Sequence, residues 1–129
     1  MTNRTGRMLV VDDERVITFA IQSYFNDHGF EVDCASEREE ALALLTHKEY
    51  DIVIADLRLT GTTSEEGLDV IRLARDRNSS TGILLLTAYL DAEVEQSALK
   101  LGADLLFQKP QPLPDLAKAV FQLLSTSCQ

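Results

Sequence analysis

Apolar residues fall along this chain in two rhythms. Met8-Leu9-Val10-Val11, Ile52-Val53-Ile54-Ala55 and Ile83-Leu84-Leu85-Leu86 are short unbroken runs. Such runs suit strands buried on both faces of a parallel sheet. Between them the apolar positions recur at helical spacing, as in helices that pack by one face. The first strand is predicted at 8–11. A helix follows over 14–28, with Val16, Ile17, Ala20, Ile21, Tyr24 and Phe25 on its apolar face and Gly29 as its stop. Residues 30–35 alternate Phe30, Val32 and Cys34 with Glu31 and Asp33, which predicts a strand with one wetter face near a sheet edge. Ser36 and Glu39 read as a capping box for a helix that runs to His47.

The third strand is predicted at 51–56. Residues 57–64 form a polar loop with Gly61, and Ser64 caps a helix through Asn78 that carries Leu68, Val70, Ile71, Ala74 and Arg75. The fourth strand is at 83–87. Asp91 caps the next helix, which turns Val94, Ala98 and Leu101 inward and stops at Gly102. The fifth strand is at 105–108, and the last helix spans 112–124 with Leu113, Leu116, Ala117, Val120 and Leu124 as its stripe. Residues 1–7 and 125–129 are expected to fray around a core of 8–124. Strand and helix alternate five times, and right-handed crossovers then give a parallel sheet. The expected fold is α/β: a flavodoxin-like, doubly wound five-stranded parallel sheet of order 2-1-3-4-5, with five helices in a three-layer sandwich.

Composition narrows the picture. A chain of 129 residues is expected to be one domain spanning 1–129. A formal net charge of −9 argues against direct nucleic acid binding, which needs Lys and Arg against the phosphates. No apolar run has membrane-spanning length, and the basic residues near Met1 lead into a short strand and then acids, unlike a signal peptide. Cys34 reads as a small buried apolar residue and Cys128 as a free tail thiol, both at home in a reducing cytoplasm. His28 and His47 sit late in predicted helices, where a cation suits the negative end.

The candidate chemistry lies at the strand ends, where open α/β sheets place their sites. The first strand runs into Asp12-Asp13, the third into Asp56, the fourth into Thr87 and the fifth into Lys109-Pro110. An Asp after a strand is more often a helix cap than a nucleophile. Four strand ends that supply compatible groups are a rarer coincidence. Three carboxylates in one site raise one another's pKa unless a positive guest joins them. Mg²⁺ suits such a site, with Mn²⁺ as a substitute. A carboxylate can then act as nucleophile toward phosphorus, with Lys109 and Thr87 on the phosphoryl oxygens. Asp12 and Asp13, engaged by the metal, are the poorer nucleophiles.

Leu9-Val10-Val11-Asp12-Asp13-Glu14, Asp51 to Leu57, Leu86-Thr87-Ala88, Gly102-Ala103-Asp104 and Lys109-Pro110 together resemble the receiver domain of bacterial two-component response regulators. The resemblance runs from Met8 to Leu124. It implies that Asp56 accepts a phosphoryl group from a histidine kinase phosphohistidine. It also implies that Asp12, Asp13, Asp56 and the backbone carbonyl of Arg58 hold Mg²⁺, and that the Lys109–Pro110 bond is cis. The implied switch draws Thr87 inward and lets an aromatic side chain of the fifth strand fill the space, changing an output face. This chain departs there, because Leu106 stands where Tyr or Phe is usual and Phe107 points to the other side. Tyr89 is a candidate substitute. The loop after Asp56 departs too, with Leu59-Thr60 in place of a step to Pro and a longer path to Gly67. Arg58 and Tyr89, bulky and two residues beyond a site residue, are expected to control water access to the phosphoryl group.

The leading expectation is a phospho-accepting signalling switch. Its chemistry is confined to its own phosphorylation and dephosphorylation, so it is not an enzyme in the ordinary sense. The expected partners are a histidine kinase or phosphotransfer protein, and then a downstream protein or an output domain following Gln129. A monomer or a phosphorylation-dependent dimer is compatible with this. The alternative is a phosphate-independent protein-binding module of the same fold. A haloacid-dehalogenase-like phosphatase would need an acid two residues after its nucleophile, where this chain has Arg58.

Overall fold

The computed structural model describes residues 6–57, 66–88 and 90–127. Its elements alternate throughout: β1 (Gly6–Val11), α1 (Arg15–Asp27), β2 (Phe30–Ala35), α2 (Arg38–His47), β3 (Ile52–Ala55), α3 (Glu66–Arg77), β4 (Gly82–Thr87), α4 (Ala92–Leu101), β5 (Leu105–Gln108) and α5 (Leu113–Ser127). All strand pairs are parallel, and the sheet order is β2-β1-β3-β4-β5. This is the expected flavodoxin-like sheet.

Side chains that alternate along each strand divide the core into two layers. Leu9, Val11, Val53, Ala55, Ile83 and Leu85 face α2, α3 and α4, where Ala41, Leu45, Val70, Ile71, Ala74, Val94 and Ala98 meet them. Met8, Val10, Ile52, Ile54, Leu84 and Leu86 face α1 and α5, packing on Ile21, Phe25, Leu116 and Val120. Leu106 belongs with the first layer and Phe107 with the second, so the two neighbours on β5 do point to opposite sides.

Some local readings need correction. Val16 is 83% exposed, and the buried line of α1 is Thr18, Ile21 and Phe25. With 3.6 residues per turn, two positions put Val16 on the far side from Thr18. At the start of α2 the reciprocal acid is Glu40, not Glu39: Glu40 Oε1 accepts the Ser36 N–H at 2.9 Å and the Ser36 hydroxyl at 3.4 Å. Glu39 instead pairs with Arg38 at 2.8 Å. Cys34 is half-buried on edge strand β2, with its thiol 3.9 Å from the Thr18 carbonyl oxygen. The last helix continues to Ser127 where fraying was expected, because Leu123 and Leu124 pack on the α1–α5 layer and hold its final turns. The Ser64 cap and the loop at 58–64 lie outside the described residues.

Candidate functional site

β1 and β3 are neighbours in the middle of the sheet, with Val11 opposite Ala55. The chain runs directly from them into Asp12 and Asp56. Their backbones stay in the ladder: the Asp12 N–H donates to the Ala35 carbonyl at 3.0 Å and the Asp56 N–H to the Val11 carbonyl at 2.8 Å. Both side chains are buried. Asp12 Oδ1 accepts the Glu14 N–H at 2.9 Å, which turns the chain into α1.

Lys109 enters from the end of β5, where its own N–H donates to the Thr87 carbonyl at 2.8 Å. The Lys109–Pro110 peptide bond is cis. Lys109 Nζ lies 2.7 Å from Asp12 Oδ2, 3.1 Å from Asp56 Oδ2 and 3.1 Å from Glu14 Oε1. Asp56 Oδ1 is buried and, among the described residues, has no hydrogen-bond partner. Thr87 closes β4 and is fully buried.

Asp12, Asp13, Glu14 and Asp56 each offer a carboxylate oxygen, and these oxygens all lie within 4.8 Å of one another. Three of these acids, Asp12, Glu14 and Asp56, share one ammonium. Burial pushes the Asp12 carboxyl above its ordinary range; the Lys109 and Glu14 hydrogen bonds pull it back without cancelling the rise, and Asp56 adds to it. For Lys109, burial works against the ammonium, but the Asp12 hydrogen bond and the Asp12 and Asp56 charges outweigh it. Lys109 therefore remains a cation well above its ordinary range. The all-oxygen donor set and the unpartnered Asp56 Oδ1 fit a hard divalent cation.

The sheet therefore brings Asp12, Asp13, Asp56 and Lys109 together, with Thr87 at the adjacent strand end. Arg58 and Tyr89 lie outside the described residues. Two contributors were not singled out from sequence. Glu14 reads there as the first residue of a helix, although it continues the Asp-Asp run. Gly67, at the start of α3, packs directly on the backbone of Asp56 and Leu57.

Residues 8–121 match the response regulator receiver domain family. The chain belongs to that family and is a signalling domain of two-component systems. It is 36% identical over 104 residues to the transcriptional regulatory protein DltR of Streptococcus agalactiae, covering 81% of this chain and 45% of the relative. The chain thus spans about half the length of that curated relative. It is 25% identical to sporulation initiation phosphotransferase F of Bacillus subtilis, covering 92% of this chain and 93% of the relative. Among solved structures, a receiver domain protein from Methanospirillum hungatei superposes with a TM-score of 0.87 at 25% identity, with 94% of each chain covered. A response regulator from Burkholderia pseudomallei, solved with a phosphorylated aspartic acid, a calcium ion and citrate, gives 0.82 at 27% identity, over 96% of this chain and 70% of that one. No helix among the described residues is long and apolar enough to cross a membrane.

Proposed function

We propose that this chain is a phospho-accepting switch whose acceptor is Asp56. The observation that carries the reading is the asymmetry of its carboxylate. Oδ2 is held by Lys109, while Oδ1 is buried with no partner among the described residues. An aspartate oxygen attacks the phosphorus of a phosphohistidine. The P–N bond breaks, its electron pair stays on the imidazole nitrogen, and that nitrogen takes up a proton. Lys109, kept cationic by its acids, donates to a phosphoryl oxygen, and the Thr87 hydroxyl donates to another.

Asp12, Asp13 and Asp56 would hold Mg²⁺ or Mn²⁺. Bound there, the ion offsets charge on the phosphoryl oxygens. The Burkholderia relative, with its phosphorylated aspartic acid and calcium ion, supports both parts of this reading. Thr87 moving toward the phosphoryl group and Leu106 repacking against the α4 layer would carry the signal outward. The partners under this reading are a histidine kinase or phosphotransfer protein on the input side, and a downstream protein or output domain on the other. A cytoplasmic location goes with it.

The test is intact mass after incubation with acetyl phosphate and Mg²⁺, beside Asp56→Asn. The expected result is one added phosphoryl group that disappears without the cation and in the variant. If acetyl phosphate and a phosphorylated histidine kinase both fail as donors, the phosphate-independent binding module replaces this reading.

A further inference from the structure

We propose that Glu14 is a positioning residue for this transfer: in the resting protein it accepts the third hydrogen bond of the Lys109 ammonium, and it must give up that hydrogen bond to a phosphoryl oxygen. This rests on the reading of Asp56 as acceptor. A lysine ammonium has three protons to donate. Lys109 has three carboxylate partners, Asp12, Asp56 and Glu14, and is therefore saturated. An incoming phosphoryl oxygen can gain Lys109 only if one of them lets go.

The three partners are not equal. Asp12 is the nearest, at 2.7 Å, and its side chain is 3% exposed, so losing Lys109 would strand a buried charge. Asp56 is the acceptor itself. The Glu14 side chain is 61% exposed and its contact is longer, at 3.1 Å. Water can replace Lys109 there at little cost. The Glu14 backbone meanwhile stays fixed: its N–H donates to Asp12, and its carbonyl accepts from Ile17 and Thr18 at the start of α1. Only the side chain has to move.

Glu14→Gln keeps the length and removes the charge. In metal-free protein, exchange of the Lys109 ammonium protons with water, followed by ¹⁵N NMR, should quicken by about two- to fivefold, the weight of an exposed ion pair. With saturating Mg²⁺, the half-saturating concentration of beryllofluoride, a phosphoryl mimic, should fall by a similar factor. In a Lys109→Ala background, or Lys109→Gln if the first folds poorly, Glu14→Gln should change nothing. Unchanged proton exchange overturns the Glu14 role alone. An effect that persists without Lys109, or a tenfold loss of Mg²⁺ affinity, also overturns it, the latter because Glu14 would then be a metal ligand. If exchange responds but beryllofluoride does not bind the wild type, the reading of Asp56 fails, and the Glu14 role falls with it.

Discussion

Arg75 Nη2 lies 2.9 Å from Asp104 Oδ2, and the same oxygen accepts the Ile83 N–H at 2.8 Å. The Arg75 guanidinium also donates to the Gly102 carbonyl at 2.8 Å, Thr81 at 2.9 Å and Ser79 at 2.8 Å. One side chain thus ties the end of α3 to the turn before β4 and to the end of α4. Its planar fork is what lets it reach these acceptors at once. Arg75→Met should cost about 2 kcal/mol, the scale of lost hydrogen bonds to a charged group. Arg75→Lys should recover less than half of that. Urea midpoints of the three proteins check this.

Gly67 faces the opposite constraint. A methyl group added there would sit 2.0 Å from the Asp56 carbonyl oxygen and 2.8 Å from Leu57 Cα. The obstacle is backbone, which cannot step aside without carrying Asp56 along. Gly67→Ala should destabilise the fold by about 1–3 kcal/mol, as overpacking does. It should also slow phosphorylation by acetyl phosphate. Denaturation and a mass-resolved time course measure the two effects; a stable variant that phosphorylates at the wild-type rate would refute the argument.

Asp12 makes metal-free stability depend on pH. Its folded carboxyl holds a proton more tightly than its ordinary value of 3.8. Its contribution to stability therefore falls as pH climbs from that value through the raised one. At neutral pH without divalent cation, Asp12→Asn should melt higher than the wild type. Added Mg²⁺ should raise the wild-type melting temperature and raise that of the variant much less. Thermal melts with EDTA and with Mg²⁺ provide the comparison.

Tyr50 supplies an alkaline counterpart. Its buried hydroxyl donates to Asp33 Oδ2 at 2.6 Å, an oxygen that Lys48 Nζ also reaches at 3.1 Å. Burial, then the Asp33 hydrogen bond and charge, push the phenol well above its ordinary 10.0. Above that value the unfolded chain releases the proton while the folded chain keeps it, so stability falls as pH rises. Tyr50→Phe should cost about 1–2 kcal/mol at neutral pH and should flatten the alkaline decline. Urea midpoints on either side of the ordinary value test both statements.

What the sequence revealed follows the reach of each signal. β2 and β5 came out with their observed bounds, because alternation and flanking Gly, Ser and Pro are local. Asp12, Asp13, Asp56 and Lys109 were legible because each ends an apolar run and the sheet must gather such ends. The contact of Glu14 with Lys109 spans 95 positions, and that of Arg75 with Asp104 spans 29. No local periodicity encodes either. Val16 misled because hydrophobicity alone cannot tell a packed helical position from an exposed one. Glu39 misled because Glu40, one residue later, offers the same chemistry with better reach.

The pairing of β1 with β3 has a further meaning. Neighbouring parallel strands stand about 4.8 Å apart, and Asp12 and Asp56 leave the sheet still bonded into its backbone. The gap between the acids is therefore gauged by the main chain and not by any loop. Segments that follow each acid can lengthen, shorten or change in sequence without widening it. The spacing of the acids and the surface around them are thereby written in separate places, so that surface can vary while the spacing stays fixed.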